Sequence, residues 1–538
     1  MNKIFYIAFV FLLLIGTTFA QDKNIDVQNY SIDLDLSNNF KGPLNYAFDA
    51  KTVIKVKALS DISSLSINAI EHSLQINSVS GAATSFSHFD DILNINLDRV
   101  YTFNEEFEIS ISYAHKNLFD TAIYAGKGIM YTDCEPEGAR SWFPCKDFPD
   151  DKATFEIKAK VPANVLFGSN GLLIDSTSDG IFTNYTWKTD LQTATYLAVF
   201  VASNDYKLRE ITWEVPGTRQ VIPVRFYYQS TDDVKKLDLM ISRVPKMLDY
   251  FSGVFGNYPF EKLGLATVDS HFPWGGMENQ TLITLCPNCW TDDLLAHEIA
   301  HQWFGDLISP SQWSDIWLNE GFATYSETIW AESTDGIGKY KALNKYNADS
   351  YLITNPHRAI YNRSWDTLLP SNDTLFNVAM TYNKSGAILY MLRYVLGDDM
   401  FFRFVKSYAT DPNLMFKNIS TNEFVKLVSE YAGKDMTWFF DQWLYRPNHP
   451  IYNNKYQIIE EDNGWKVKFK ITQTQREGFF KMPIEIQVNS GKSVQFFKFN
   501  NDYNNQVFEI KLKDEPDDVI FDPNDGIILK IARTAQGF

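Results

Sequence analysis

Leu294-Leu295-Ala296-His297-Glu298-Ile299-Ala300-His301-Gln302-Trp303-Phe304 is the stretch from which the rest of this sequence can be read. Its spacing predicts a helix, and His297 and His301, four positions apart, then sit one turn above each other on one face. Two neutral imidazoles so placed can hold two corners of a tetrahedral zinc ion. Glu298 projects beside them, able to take a proton from a water at the metal. A third ligand is required, and a hydrolase keeps the fourth position open for water. After eighteen intervening residues comes Glu320, in Trp317-Leu318-Asn319-Glu320-Gly321-Phe322, where a second predicted helix begins that could return antiparallel and present its carboxylate. The chain has eight histidines, and a chance H-E-x-x-H in such a sequence arises on the order of once in a hundred. The pattern implies one zinc ion and amide hydrolysis by an activated water with Glu298 as general base. No G-x-S-x-G nucleophile motif competes with it.

Upstream lies Phe272-Pro273-Trp274-Gly275-Gly276-Met277-Glu278-Asn279. By its residues alone it is a glycine-hinged loop or edge strand that delivers a carboxylate just before the metal helix. Glu278 is then either a counter-charge for a substrate ammonium or a surface acid on a turn. A buried ammonium site would reject internal peptide segments, because its carboxylate would be left unpaired.

H-E-x-x-H-x18-E preceded by G-x-M-E-N resembles the gluzincin (M1) aminopeptidase family that includes aminopeptidase N and leukotriene hydrolase. The resemblance implies that Gly275, Gly276 and Met277 line the cleft and pair with the substrate backbone, and that Glu278 holds the free amine. Glu135-Pro136-Glu137-Gly138-Ala139-Arg140 resembles the family segment in which an acid or amide five residues before the arginine also touches the amine, and Glu135 occupies that place. Tyr382-Asn383-Lys384-Ser385-Gly386 resembles the family's tyrosine-x-lysine-glycine pattern, which makes Tyr382 the donor to the tetrahedral oxyanion. Ser385 stands where the family usually has glycine. Without the resemblance, Glu135 is an ordinary loop acid and Tyr382 an aromatic at a helix start.

The family implies a multidomain α+β fold: an N-terminal antiparallel β saddle, a thermolysin-like mixed catalytic domain and a small C-terminal β-sandwich. The text outside the motifs agrees. A chain of 538 residues suits three domains at about 100–200 residues each. Period-two alternation at residues 31–36, 52–56, 107–113 and 154–161 predicts strands. Helical periodicity follows from residue 232, with Pro245 expected to kink or break the first helix, and recurs at 294–304, 321–333, 385–396 and 421–431. Alternation returns at 455–459, 465–471, 484–488 and 507–512. The expected division is 1–20 leader, 21–207 β domain, 208–447 catalytic domain and 448–538 sandwich.

The leader reading rests on Lys3, the apolar run of residues 4–15 and small residues at Thr18 and Ala20, which together form a cleavable export signal rather than a membrane span of about 20 residues. The expected location is therefore periplasmic or extracellular, with no stable membrane insertion after cleavage. Lys and Arg number 49 against 66 Asp and Glu, a net charge of −17, which argues against nucleic acid as a partner. The expected partners are peptides with a free N-terminal amine; oligomeric state is not legible. Cys286-Pro287-Asn288-Cys289 reads as a local disulfide or two free thiols, and Cys134 and Cys145 are poorly spaced to complete a zinc knuckle with it. Three other readings are weighed: epoxide hydrolysis at the same metal, an endopeptidase that ignores the amine, and an inactive peptide-binding protein. The presence of Glu135, Glu278 and the full metal set disfavours the last two, and Glu135 stands where the epoxide-hydrolysing branch has glutamine.

Overall fold

The computed structural model describes residues 22–41 and 45–537, so the leader expected at residues 1–20 lies outside the described residues. The N-terminal part is built on a seven-stranded sheet running, edge to edge, Leu172–Ser178, Phe182–Ala194, Lys152–Pro162, Ile25–Asp35, Phe48–Ala58, Glu106–His115 and Leu74–Gly81. In the strand Ile25–Asp35, Ile25, Val27, Tyr30, Ile32 and Leu34 are fully buried. The step of three between Val27 and Tyr30 falls at a bulge in its pairing with Phe48–Ala58, which restores the inward face. The inward set packs against Ile54, Ile109, Ile111, Phe155 and Ile157 in one apolar core.

One pairing corrects the expectation of an antiparallel domain. Ile25–Asp35 runs parallel to Lys152–Pro162, from Asn29 opposite Thr154 to Asp35 opposite Lys160. The Asn29 amide donates to the Thr154 hydroxyl at 2.8 Å and pins that register. Alternation reports which face of a strand is buried but not the direction of its neighbour, so this pairing is invisible to it.

A four-stranded sheet of Leu166–Ser169, Phe200–Ser203, Ile129–Thr132 and Ile123–Ala125 lies next in the chain's architecture. Its strand Ile129–Thr132 runs directly into Asp133, Cys134 and Glu135. The catalytic part opens with a five-stranded sheet ordered Lys207–Glu214, Val221–Tyr228, Leu263–Thr267, Leu282–Leu285 and Gly276–Met277, the last at the edge. Helices follow, among them Val234–Phe255, Asp292–His301, Trp317–Asp335 and Ser385–Leu396. Pro245 lies inside Val234–Phe255, and the expected break does not occur. Leu237, Met240, Val244, Met247, Leu248, Phe251 and Phe255 on both sides of it are buried. At about 1.5–3 kcal/mol each, their burial outweighs the roughly 3 kcal/mol that an interior proline costs.

The C-terminal part is a sandwich of a four-stranded sheet (Gln506–Leu512, Gly464–Ile471, Ile451–Glu461, Ile531–Gln536) and a three-stranded one (Ser493–Asn501, Met482–Ser490, Asp518–Phe521). Its inner residues, including Val467, Ile486 and Phe521, merge with the helical core into one continuous cluster. A separate apolar cluster (Tyr131, Tyr196, Val268, Phe272, Met277, Trp313) fills the seam between the β part and the catalytic part. Polar bonds cross the same seam: Asn170 Nδ2 to Gln280 O at 2.7 Å, Lys152 Nζ to Asp306 O at 2.7 Å, and Tyr196 Oη to Gly305 O at 3.1 Å. They fasten the β part to the backbone just after Glu278 and just after His301. No helix among the described residues is long and apolar enough to cross a membrane.

Candidate active site

The helix Asp292–His301 starts with two acids in its first turn, which suit the positive end of its dipole, and ends on His301. It turns after His301, so the expected helix to residue 304 is three residues shorter. The ring of His301 donates from Nδ1 to Phe304 O at 3.0 Å, a bond that this turn creates. His297 Nδ1 is 2.7 Å from Glu327 Oε1. With both Nδ1 atoms engaged as donors, the two Nε2 atoms are left with lone pairs, and they face each other at 3.1 Å.

Glu320 lies in the first turn of the helix Trp317–Asp335. Its Oε2 is 3.3 Å from His297 Nε2 and 3.4 Å from His301 Nε2. Three acceptor atoms with no proton to share therefore converge within 3.1–3.4 Å of one another. A tetrahedral zinc ion with ligands at about 2.0–2.1 Å separates them by about 3.3 Å, so the donor set fits the ion. Glu320 Oε2 is buried and otherwise unpartnered, which agrees. Glu278, Glu298 and His301 also lie close enough to hold an ion. Glu278 Oε1, however, approaches His301 at Nδ1, 3.8 Å away, and that nitrogen is committed to Phe304 O. Of the two groups, the His297–His301–Glu320 set is the one whose free donor atoms fit the ion.

A cleft of about 410 Å³ opens over these ligands. All ten residues singled out from the sequence line it: Glu135, Gly275, Gly276, Met277, Glu278, His297, Glu298, His301, Glu320 and Tyr382. Gly276–Met277 is the outermost strand of its sheet, paired on one side only, Gly276 opposite Leu285 and Met277 opposite Thr284. Its other edge is free to pair with an extended peptide. Gln302 Nε2 holds the Glu278 carbonyl at 2.9 Å, which ties the strand's end to the metal helix. A β-carbon on Gly276 would stand 2.2 Å from Glu298 Oε1, so glycine is required for Glu298 to lie where it does.

Burial and mutual repulsion dominate the electrostatics. Burial pushes Glu298 up to about 8, against the pull of His297 and His301. Glu135 is raised well above the usual carboxylate range by burial and then by Glu278 and Glu320. Glu278 is raised by burial, partly offset by His301. Glu320 alone is held down, to about 2, because the pull of His297 and His301 beside it overcomes its burial. Oxygens of Glu135, Glu278 and Glu298 are buried without partners. Four acids in one closed site is an excess of negative charge that a divalent ion and an ammonium group would neutralise.

Tyr382 stacks on His297 with ring centroids 6.1 Å apart. It sits in a wide helical turn, Val378–Lys384, just before the helix Ser385–Leu396. Ser385 takes its place through two contacts. Its hydroxyl donates to Met380 O at 3.1 Å, and its Cβ lies 2.8 Å from where a β-carbon on Gly321 would be. Gly321 makes the room that Ser385 uses, so the departure from the family pattern is absorbed next to Glu320 without displacing Tyr382.

Sequence reasoning missed Glu327, Trp274 and Phe376, which also line the cleft. Glu327 was readable: it stands seven residues, two helical turns, after Glu320 and so on the same face. Trp274 lay unassigned within the quoted loop, and no local signal marked Phe376. The open question at Cys286 and Cys289 resolves as a disulfide. Cys134 and Cys145 are free and buried.

Comparison with known proteins agrees with this geometry. The sequence matches the description "Peptidase M1 N-terminal domain" over residues 27–197 and "Peptidase family M1 domain" over residues 240–443. Among curated relatives, Probable aminopeptidase 1 of Sulfurisphaera tokodaii is 26% identical over 91% of this chain and 62% of its own length. Aminopeptidase A of Gloydius brevicauda is 29% identical over 60% of this chain and 35% of its own. Leukotriene A-4 hydrolase of Xenopus laevis is 26% identical over 61% and 54%. The chain thus spans less than two thirds of the length of each of these relatives. A solved M1 zinc metallopeptidase variant from Deinococcus radiodurans, bound to a Tyr-Ser-Ala substrate, superposes with a TM-score of 0.70 at 23% identity over 80% of this chain and 96% of its own. That likeness establishes the shared fold.

Proposed function

The chain belongs to peptidase family M1, and we propose that it is an exported zinc aminopeptidase that releases the first residue of peptides with a free amino terminus. The observation that carries this reading is a pair of acids, Glu135 and Glu278, each with one buried carboxylate oxygen that accepts no hydrogen bond, lining the same cleft as the His297–His301–Glu320 triad. An endopeptidase has no use for two further acids with unpaired oxygens beside its metal. An aminopeptidase needs them for the substrate ammonium.

His297, His301 and Glu320 would hold a zinc ion, which would supply Lewis acidity towards a carbonyl and lower the pKa of a bound water. The chain's own residues do the rest. Glu135 and Glu278 bind the ammonium and set how far the peptide enters. The free edge of Gly276–Met277, with Gly275 before it, pairs with the substrate main chain and presents the first peptide bond to the triad. Glu298, with Oε2 unpartnered, takes the proton of the attacking water and returns it to the departing amine. Tyr382 donates its phenolic hydrogen to the oxyanion as it forms. Glu327 fixes the ring of His297. Export is supported by the leader text of residues 1–20 and by the Cys286–Cys289 disulfide, which suits an oxidising compartment.

The test is hydrolysis of aminoacyl anilides with and without an N-acetyl cap, before and after chelation. Cleavage of free-amine forms only, lost on chelation and restored by zinc, is the expected result. Equal cleavage of capped forms would overturn the amine-anchor roles of Glu135 and Glu278 and point to an endopeptidase.

A further inference from the structure

The cleft has an aromatic end that the reaction does not use. Trp274 is 38% exposed and lines the cleft. Its Nε1 donates to Asp133 Oδ2 at 3.1 Å. Asp133 is 4% exposed and does not itself line the cleft, so it lies behind the indole rather than beside the substrate. Phe376 meets the same indole with ring centroids 6.2 Å apart, tilted by 56°. Phe376 comes from another part of the chain, next to Leu375, which is fully buried and whose carbonyl accepts from Thr381 Oγ1 at 2.6 Å.

The loop that carries Trp274 is braced. Phe272 is buried against Tyr131, 6.3 Å between centroids, and Tyr131 stacks on Tyr124 at 5.0 Å. Asp269 accepts from Tyr131 Oη and from the His271 backbone N–H, each at 3.0 Å. A wall supported in this way keeps its shape before substrate arrives, which lowers the ordering cost of binding.

We propose that Trp274, tethered by Asp133 and set against Phe376, is the specificity-determining wall for the side chain of the first residue, and that it selects large apolar and aromatic side chains. The assignment to the first residue rests on the aminopeptidase reading and on chain connectivity. Asp133, the tether, and Glu135, the amine anchor, are two residues apart on one segment, so the indole is tied to the end of the cleft where the ammonium sits. An indole face and a phenyl ring present apolar surface to a flat side chain, and the flexible Met277 thioether lines the same cleft. No lysine or arginine lines the cleft among the described residues, so an acidic first side chain finds no counter-charge. Asp133 acts as a positioning residue: it holds the wall and touches no substrate.

The experiment is kcat/KM for phenylalanyl, leucyl, alanyl, arginyl and glutamyl anilides, with the N-acetyl forms as controls, in the wild type and in Trp274→Ala, Phe376→Ala, Asp133→Ala and Asp133→Asn. The wild type is expected to favour phenylalanyl over alanyl by about tenfold or more. Trp274→Ala is expected to lower that ratio by about tenfold, chiefly through KM, with Phe376→Ala acting in the same direction. Asp133→Ala shifts the ratio partway, and Asp133→Asn rescues it, because the amide oxygen still accepts from the indole. Melting curves and zinc content identify any variant that is misfolded; inhibition by L-phenylalaninamide against L-alaninamide then reads the preference in the other wall variant. A ratio unchanged in Trp274→Ala and Phe376→Ala, or a wild type that prefers arginyl or alanyl anilide, overturns the proposal while leaving the aminopeptidase reading intact. Equal cleavage of capped and free forms overturns both.

Discussion

Gly276 and Glu298 occupy each other's space: a β-carbon on Gly276 would come within 2.2 Å of Glu298 Oε1, 2.5 Å of its Cδ and 2.8 Å of its Cγ. The strand proposed to pair with substrate and the carboxylate proposed to activate water are therefore held at a spacing that only glycine permits. Gly276→Ala is expected to push one or the other aside and to lower kcat by about 10²-fold, as misplacement of a catalytic group by about 1 Å does. Zinc content should stay near one per chain, since no metal ligand moves. Wild-type kcat in the alanine variant would refute the steric argument.

Glu298→Gln preserves shape but removes the base. Its kcat is expected to fall by about 10²–10⁴-fold with zinc retained, measured by anilide hydrolysis alongside metal analysis. A loss of zinc in parallel would move Glu298 from proton transfer to metal binding.

Glu327 acts on the metal only through His297, by the 2.7 Å contact to Nδ1. Glu327→Ala is expected to weaken zinc affinity by about 10–100-fold, read by competition with a chelator. Activity at saturating zinc should recover much more than it does in Glu298→Gln.

The Cys286–Cys289 disulfide begins where the substrate strand is anchored, because Cys286 N donates to Gly275 O at 2.9 Å. Replacing both cysteines by serine, or reducing the wild type, is expected to raise KM several-fold through a looser Gly275–Met277 edge. Zinc content and kcat should change little. An unchanged KM would show that the pairing of Gly276 with Leu285 suffices alone.

His449 is 7% exposed and is pushed down to about 4 by burial and by Lys384, with Glu477 opposing and His357 adding to the depression. In the unfolded chain it titrates near the ordinary histidine value of about 6.5. Between these values the unfolded state binds more protons, so stability is full above about 6.5 and falls as pH drops towards about 4. The total loss attributable to this one group is on the order of 3 kcal/mol. His449→Gln should lose less melting temperature than the wild type between pH 7 and pH 4.5. Equal losses would mean that His449 is protonated in the fold.

Several features of this chain are set locally and were therefore legible in its order of residues. The four-residue spacing of His297 and His301 specifies a shared helix face, and eighteen intervening residues leave room for a turn and a new helix before Glu320. Alternation at residues 31–36 and 154–161 marked parts of the strands Ile25–Asp35 and Lys152–Pro162, because each buries one face. The resemblance to known aminopeptidases supplied Glu135, Glu278 and Tyr382, and the structure brings all three to the cleft.

The remainder was decided by contacts between distant parts of the chain, which no local period encodes. Asn29 meets Thr154 in a parallel pairing across 125 residues, and Trp274 meets Asp133 across 141. A proline expected to kink or break its helix lies inside Val234–Phe255, with buried residues on either side of it. By itself the sequence brought out a candidate metal set and the chemistry such residues support, since those depend on residue types at helical spacing. Only the tertiary structure decided which oxygens are left buried and unpaired, which glycine Glu298 needs, and that Trp274 and Phe376 stand together in the cleft. Each of these is a property of the space left when separate segments pack together.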